Sequence, residues 1–308
     1  MDSKAQALLK KKLSRLETVP DEFLSGIERV EKQYLIAVTK LVSRLKQEGG
    51  NLVFDEQVQL QLSEIESQLK GLLLETDYSD LSEEFIKQIN EQAGITDKLL
   101  KAEFTTPAQN KIITDAGNLT LNQVRKDALY DLMDKPLDAK FISAVKSSIT
   151  DAVIANSSFT ELINTLQTTI TGDAQTTGKL MQYSKQIAGD LFAVSDRQYT
   201  TSISRKLNSQ WFLYSGSIIG TSRPFCVARH NKYYHKLEVE AWADLGEWDG
   251  RMPGTTRTTI FDYAGGYGPC RHSILPVSAI SVPIDVLKRN IANGNFKPTQ
   301  FEKDELGL

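Results

Sequence analysis

Long amphipathic helices dominate the first two thirds of the sequence, and they constrain the fold more than any other feature. One apolar stripe recurs at three- and four-residue spacing: Ile27, Val30, Tyr34, Val38, Leu41 and Leu45. This spacing places the side chains on one face of a helix. Two glycines in the segment 48–51, which has the sequence EGGN, end that helix. Such stripes usually pack into a core or between helices, and a minority serve as partner-binding faces.

The same pattern predicts further helices. Asp55 is placed to cap a second helix, whose stripe consists of Val58, Leu62, Ile65, Leu69, Leu72 and Leu73. A third helix is predicted over roughly residues 81–93, and Gly94 is expected to end it. Capping boxes are predicted at Thr120 with Gln123 and at Ser158 with Glu161, and the segment 137–158 between them also has a helical pattern.

The character of the sequence changes after about residue 195. The segment 210–219, QWFLYSGSII, is aromatic and favours a strand, and the glycine-dense segment 262–272, DYAGGYGPCRH, indicates a loop. The segment SILPVSAISVPIDVL predicts a short strand interrupted by prolines and then a last helix near residues 284–293, and residues 298–308 are expected to form a loose tail.

The predicted fold class is mainly α, with a helical N-terminal region and a small α+β C-terminal module. The predicted domains are a helical region over residues 1–118, a module over 119–280 whose α+β part begins at about 196, and a C-terminal helix and tail over 281–308.

Charge and hydropathy exclude several classes of protein. The 308 residues carry a net charge of -3, which argues against a general nucleic-acid coat but leaves room for a local basic patch. No apolar run is long enough for a membrane span. The charged start of the sequence lacks the apolar core of a signal peptide, so we expect folding in a cytoplasm.

One basic run stands out near the start of the sequence and comprises Lys10, Lys11, Lys12 and Arg15. We predict that this run forms a solvated helix face. The alternative is that it contacts phosphate or an acidic partner.

All cysteines and histidines lie in one window: Cys226, His230, His235, Cys270 and His272. Thiolates and imidazoles are the ligands that zinc prefers, and two separated ligand clusters are typical of small zinc sites. The candidate zinc ligands are Cys226, His230, Cys270 and His272. No CxxC pair is present, so zinc is one interpretation among four.

The second interpretation is a disulfide between Cys226 and Cys270, which cytosolic folding disfavours. The third is catalysis, either by a thiol with a histidine base or by a zinc deaminase that uses His235 and Glu238. The deaminase pattern fits imperfectly, because His235 and Glu238 are one residue too far apart and His272 replaces a cysteine. The fourth is a buried, hydrogen-bonded loop core without chemistry.

The order of features in the last 110 residues resembles the phage Mu F-like head morphogenesis family, also called the minor head protein family. Three segments carry the resemblance: DRQYTTSISRKLNSQWFLYSG, GTSRPFCVARHNKYY and GPCRHSILPV. The matching positions are Arg223, Cys226, His230, Lys232, Tyr233, Cys270, Arg271, His272 and Pro276. The likeness covers about a third of the chain and leaves the N-terminal helices outside it.

The resemblance implies a minor structural protein of a tailed-phage virion, without enzymatic activity. Family members associate with the portal vertex or the inside of the head during assembly in the host cytoplasm, and some leave with the DNA on ejection. The expected partners are therefore portal protein, major capsid protein or both, with local DNA contact through Lys10–Lys12 or through arginines such as Arg223, Arg251, Arg257 and Arg271. The alternative function is a zinc-dependent hydrolase or deaminase-like enzyme built on the cysteine and histidine window, with Glu238 as the acid and base.

Overall fold

The computed structural model describes residues 1–263, 266 and 270–308. Its α-helices are α1 Ser3–Val42, α2 Glu56–Leu74, α3 Tyr78–Glu103, α4 Pro107–Met133, α5 Lys135–Leu137, α6 Ser143–Ile154, α7 Phe159–Ile170, α8 Lys179–Lys206, α9 Pro224–Arg229, α10 Lys236–Ala241, α11 Ile260–Tyr263, α12 Ile284–Ala292 and α13 Gln300–Leu306. A π-helix covers Asp138–Ile142, and 3₁₀ turns cover Trp242–Asp244 and Ala279–Ser281. The strands are β1 Gln47–Glu48, β2 Asn51–Leu52, β3 Trp211–Ser215, β4 Lys232–His235 and β5 Ser273–Val277.

The elements confirm the predicted fold class, a mainly α protein with a small α+β C-terminal part. The chain divides into two compact units: unit 1 comprises residues 1–18, 88–126 and 189–308, and unit 2 comprises residues 19–87 and 127–188. Each unit draws on separated stretches of sequence. The predicted linear boundaries at residues 118 and 280 stay predictions. The predicted loop over 262–272 falls partly on residues 264, 265 and 267–269, which lie outside the described residues.

Unit 2 is a helical body whose core contains the first apolar stripe. All six residues of that stripe are buried. Tyr34 packs its ring 5.4 Å from that of Phe141, and its hydroxyl donates a hydrogen bond to the carbonyl of Leu69. The stripe is therefore core, as the commoner interpretation of its spacing predicts.

Two predicted helix boundaries in unit 2 are confirmed. The side chain of Asp55 accepts a hydrogen bond from the backbone of Val58 at 2.9 Å and caps α2. Ser158 and Glu161 form a reciprocal capping box at the start of α7. Gly49 and Gly50, with φ of 60° and 89°, form the turn between β1 and β2. These signals are local, so sequence spacing is sufficient to predict them.

Unit 1 contains the C-terminal sheet, in which β3 lies between β4 and β5 and pairs antiparallel with both. Alternate residues of β3 point to opposite faces. Trp211 and Leu213 join one apolar cluster, with Val277, Val282, Val286 and Leu287. Phe212 and Tyr214 join the other, which also contains Cys226 and Cys270. The sheet thus assigns both cysteines to one face of β3.

Three predictions about helix ends are wrong. Gly94 lies inside α3, which continues to Glu103, since buried residues on both sides of the glycine keep the helix packed. Thr120 lies inside α4, where its hydroxyl donates to the carbonyl of Ala116, so it caps no helix. The expected loose tail contains α13, which begins with a capping box between Thr299 and Glu302.

The basic run is not a uniformly solvated face. The side chain of Lys12 is fully buried and forms an ion pair with Asp196, and it also donates to Thr96. Arg15 donates to the carbonyl of Gln88 at 3.0 Å. Lys10 and Lys11 remain exposed. The run is therefore divided by the helical period between a buried face and a solvent-exposed face.

Among the residues that the structure describes, no helix combines the length and the apolar character needed to cross a membrane.

Candidate metal centre

Strands β3 and β5 position the candidate ligands. His272 directly precedes β5, and Cys226 lies on α9, which follows β3 in the sequence. Tyr214 of β3 lies between the two: its ring stacks on His272, with centroids 5.3 Å apart, and its hydroxyl lies 3.3 Å from Sγ of Cys226. One tyrosine therefore contacts candidate ligands from two parts of the chain that are distant in sequence.

Cys226, Cys270 and His272 form a compact group of potential metal ligands. Their ligand atoms all lie within 4.8 Å of one another. The three residues are only 2%, 5% and 4% exposed. Sγ of Cys270 lies 3.9 Å from Nδ1 of His272. Both cysteines are free thiols in this structure, so the two sulfur atoms are available as ligands.

The two thiols differ in their acidity. A hydrogen bond to Cys270 and then burial raise the pKa of Cys226 far above its ordinary value. The same hydrogen bond lowers the pKa of Cys270, and His272 and Arg197 lower it further, against the effect of burial. The coupling therefore favours ionisation of Cys270 over that of Cys226. A thiolate is the form of cysteine that binds metal.

Arg197 contacts the backbone at both Asp262 and Cys270. This buried guanidinium donates from Nη1 to the carbonyl of Cys270 at 2.6 Å, and from Nε to the carbonyl of Asp262 at 3.2 Å. Its charge also stabilises the Cys270 thiolate.

His230, the fourth candidate ligand, lies beside this group. Its ring is perpendicular to that of His272, with centroids 6.0 Å apart. Burial and the neighbouring His272 lower the pKa of His230, which favours the neutral imidazole that metals bind. Nδ1 of His230 is buried and has no hydrogen-bond partner among the described residues. The structure thus gathers three of the four predicted ligands, and ligation by His230 stays a prediction.

A pocket of about 260 Å³ adjoins the cluster. Arg223 and Arg271 line it together with the three potential ligands. The guanidinium of Arg223 packs against Gly250, and a Cβ there would overlap it. Gly250 has a φ of 77°, so both the space and the backbone conformation favour glycine at this position. Arg271 lies 3.8 Å from Glu17, with both side chains partly exposed.

The other matching positions lie away from the cluster. Tyr233 packs against the apolar cluster on the opposite face of β3. Lys232 donates to the carbonyl of Ala228, and Pro276 pairs with Phe212 across the sheet. These positions support the fold of the module.

His235 and Glu238, the two residues of the deaminase-like pattern, have a structural role. His235 and Glu238 form a capping box at the start of α10. Glu238 also accepts hydrogen bonds from Arg289 and Asn290. His235 packs its ring 4.9 Å from that of Trp211. Neither residue belongs to the ligand group found among the described residues.

Two residues of the site were not among the predicted site residues, although both lie in the first segment that carries the resemblance. Tyr214 is one of five residues in an apolar strand, a position typical of plain core. Arg197 precedes Cys270 by 73 positions on a long helix, and no spacing connects them. Sequence comparison adds no further residues, because no family model, curated protein or solved structure matches this chain.

Proposed function

We propose that this chain is a minor structural protein of a tailed-phage head, which binds portal protein, major capsid protein or both during assembly in the host cytoplasm and remains in the virion. One observation carries the proposal. Five positions of the motif that resembles the minor head protein family line one pocket, although the sequence separates them into two groups: Arg223, Cys226, Cys270, Arg271 and His272. A motif that recurs by chance has no reason to converge in space.

We further propose that Cys226, Cys270 and His272 hold a zinc ion with a structural role. Zinc needs Zn–S distances of about 2.3 Å and Zn–N distances of about 2.0 Å. Three ligand atoms that all lie within 4.8 Å of one another are close enough for one ion to bind them together. The donor set of two sulfurs and one imidazole is one that zinc selects. His230 is the candidate for a fourth protein ligand.

A non-enzymatic role is favoured by the position of Glu238. Catalysis by a zinc-bound water requires a base that can reach the metal. The backbone of His235 and the side chains of Arg289 and Asn290 all donate to this carboxylate, which leaves it committed to the cap of α10.

The experiment that tests the proposed function is co-expression of the full chain with the portal and major capsid proteins of the same genome. Sedimentation of assembled heads should carry the chain with them, and pull-down should retain portal or capsid protein. The Cys270→Ser variant, if folded, should bind as the natural chain does, because the zinc has a structural role. Failure to bind either protein in any assembly state would contradict the proposal.

A further inference from the structure

The two units of this chain carry opposite charge. Unit 1 contains 24 Lys and Arg against 18 Asp and Glu, a net charge of +6. Unit 2 contains 12 against 21, a net charge of -9. The small net charge of the whole chain therefore conceals a basic unit, and a basic unit attracts polyanions even when the chain as a whole is acidic.

Within unit 1, four lysines surround one groove of about 610 Å³ between α1 and α3: Lys4, Lys11, Lys98 and Lys101. Among the described residues, the others that line it are Ala7, Leu8 and Ala102, and none of these is acidic. The side chains of Lys4, Lys11 and Lys98 are exposed and that of Lys101 is half-buried.

The four ammonium groups are available for binding. Among the residues that the structure describes, none of them lies within 4.0 Å of a carboxylate oxygen, whereas the neighbouring Lys12 is buried against Asp196. Asp97 is the acidic group whose charge is coupled to Lys101, and its carboxylate already accepts a hydrogen bond from Tyr199 at 2.8 Å. Burial of Asp97 raises its pKa, while the charge of Lys101 lowers it.

We infer that this lysine groove binds the phosphate backbone of a nucleic acid, without reading its sequence. Lysine ammonium groups bind phosphate as point charges, so a row of lysines requires no particular orientation of the phosphate groups and no particular base sequence. Lys4 and Lys11 lie about 10 Å apart along the axis of α1, which corresponds to about three phosphates of one DNA strand. The inference rests on the proposed function in one respect, namely that packaged DNA is the nucleic acid at hand.

The test measures binding of the full chain to a 30-base-pair duplex of arbitrary sequence by fluorescence anisotropy, between 50 and 200 mM NaCl. The double variant Lys11→Gln/Lys98→Gln should bind at least about fivefold more weakly at 50 mM salt. The slope of log K against log salt should fall by about 2, because each lysine on a phosphate contributes about 1. The matched control Lys206→Gln/Lys297→Gln removes the same charge from exposed lysines of unit 1 outside the groove. It should stay within twofold of the natural chain.

Several results would overturn the inference. One is the absence of DNA binding at 50 mM salt, and another is equal loss in the groove and control variants. Competition by poly-glutamate as strong as that by DNA would identify an acidic polypeptide as the ligand. Self-association that the groove variant abolishes, without any DNA binding, would identify the groove as a contact between copies. Portal pull-down with the same variants distinguishes the two proposals. If the chain binds DNA but retains no portal protein, this inference is supported and the proposed function is contradicted.

Discussion

The ring of Tyr214 stacks on the imidazole of His272 with an interplanar angle of 23°. The hydroxyl of the same tyrosine donates to Sγ of Cys226. A residue that contacts two ligands at once limits their rotation, as the groups that surround metal ligands commonly do. The candidate centre therefore depends on the central strand of the sheet as well as on the ligands themselves.

The change Tyr214→Phe should keep the stack and remove only the hydrogen bond. We expect the free energy of unfolding to fall by about 1 kcal/mol, the usual contribution of one such bond. Zinc affinity should fall by about tenfold, since an orienting contact is lost. Urea unfolding and competition with a zinc chelator measure the two effects. Tyr130→Phe, a change at an exposed ring, is the matched control and should alter neither quantity.

Metal analysis of the chain purified without chelator should find about one zinc per chain, with both thiols protected. Cys270→Ser should lose the metal, because serine offers no thiolate. His235→Asn is the control: it alters a histidine of the window that is neither a member of the cluster nor a candidate ligand, and it preserves a capping side chain. Metal-free natural protein with two titratable thiols would contradict the zinc proposal and leave the cluster as plain core.

Because Lys12 and Asp196 form a buried ion pair, we expect a single substitution to lower the free energy of unfolding more than a substitution of both residues does. Lys12→Met alone should lower the free energy of unfolding by about 3 to 5 kcal/mol, because it leaves a buried carboxylate without its partner. Adding Asp196→Leu should recover much of that loss. Lys10→Met, at the exposed neighbouring position, should change it by less than about 0.5 kcal/mol. Equal losses in the single and double variants would contradict the expected recovery.

Two glycines of unit 1 predict opposite effects of the same substitution. A Cβ at Gly94 would meet no atom within 4 Å, and the residue lies inside α3. Gly94→Ala should therefore raise the free energy of unfolding by about 0.5 to 1 kcal/mol. A Cβ at Gly117, inside α4, would overlap the hydroxyl of Tyr199. Gly117→Ala should therefore lower the free energy of unfolding. Chemical denaturation of both variants shows whether the two substitutions change this free energy in opposite directions.

Gly94 also shows where sequence analysis reaches its limit. A glycine ends a helix only when the packing beyond it lets the chain depart, and the buried Leu99 and Leu100 instead hold α3 in place past the glycine. The capping box at Ser158 and strand β5 were predictable because both depend on neighbours in sequence. Convergence of the cysteines and His272 was predictable in outline from their shared window. The support from Arg197 was not, because only tertiary folding brings it to Cys270.

Glu31 of unit 2 predicts a pH dependence of stability. This buried carboxylate accepts a hydrogen bond from the backbone of Met181 at 2.9 Å. Burial raises its pKa to about 7, against the effect of that hydrogen bond; Glu28 raises the pKa further and Lys185 lowers it. Between the unfolded value of 4.5 and about 7, the folded chain binds more protons than the unfolded chain. The contribution of Glu31 is therefore fully present below pH 4.5 and is lost as the pH rises through 7.

Glu31→Gln removes this titration while keeping an oxygen that accepts from Met181. The variant and the natural chain should be similarly stable near pH 5. At pH 8 the variant should be more stable by roughly 2 kcal/mol, because the natural chain then buries a charge. Urea unfolding of both proteins from pH 5 to 8 measures the difference. Glu22→Gln, at an exposed position on the same helix, is the control and should show no such slope. A difference between Glu31→Gln and the natural chain that stays constant over this range would mean that Glu31 remains ionised throughout.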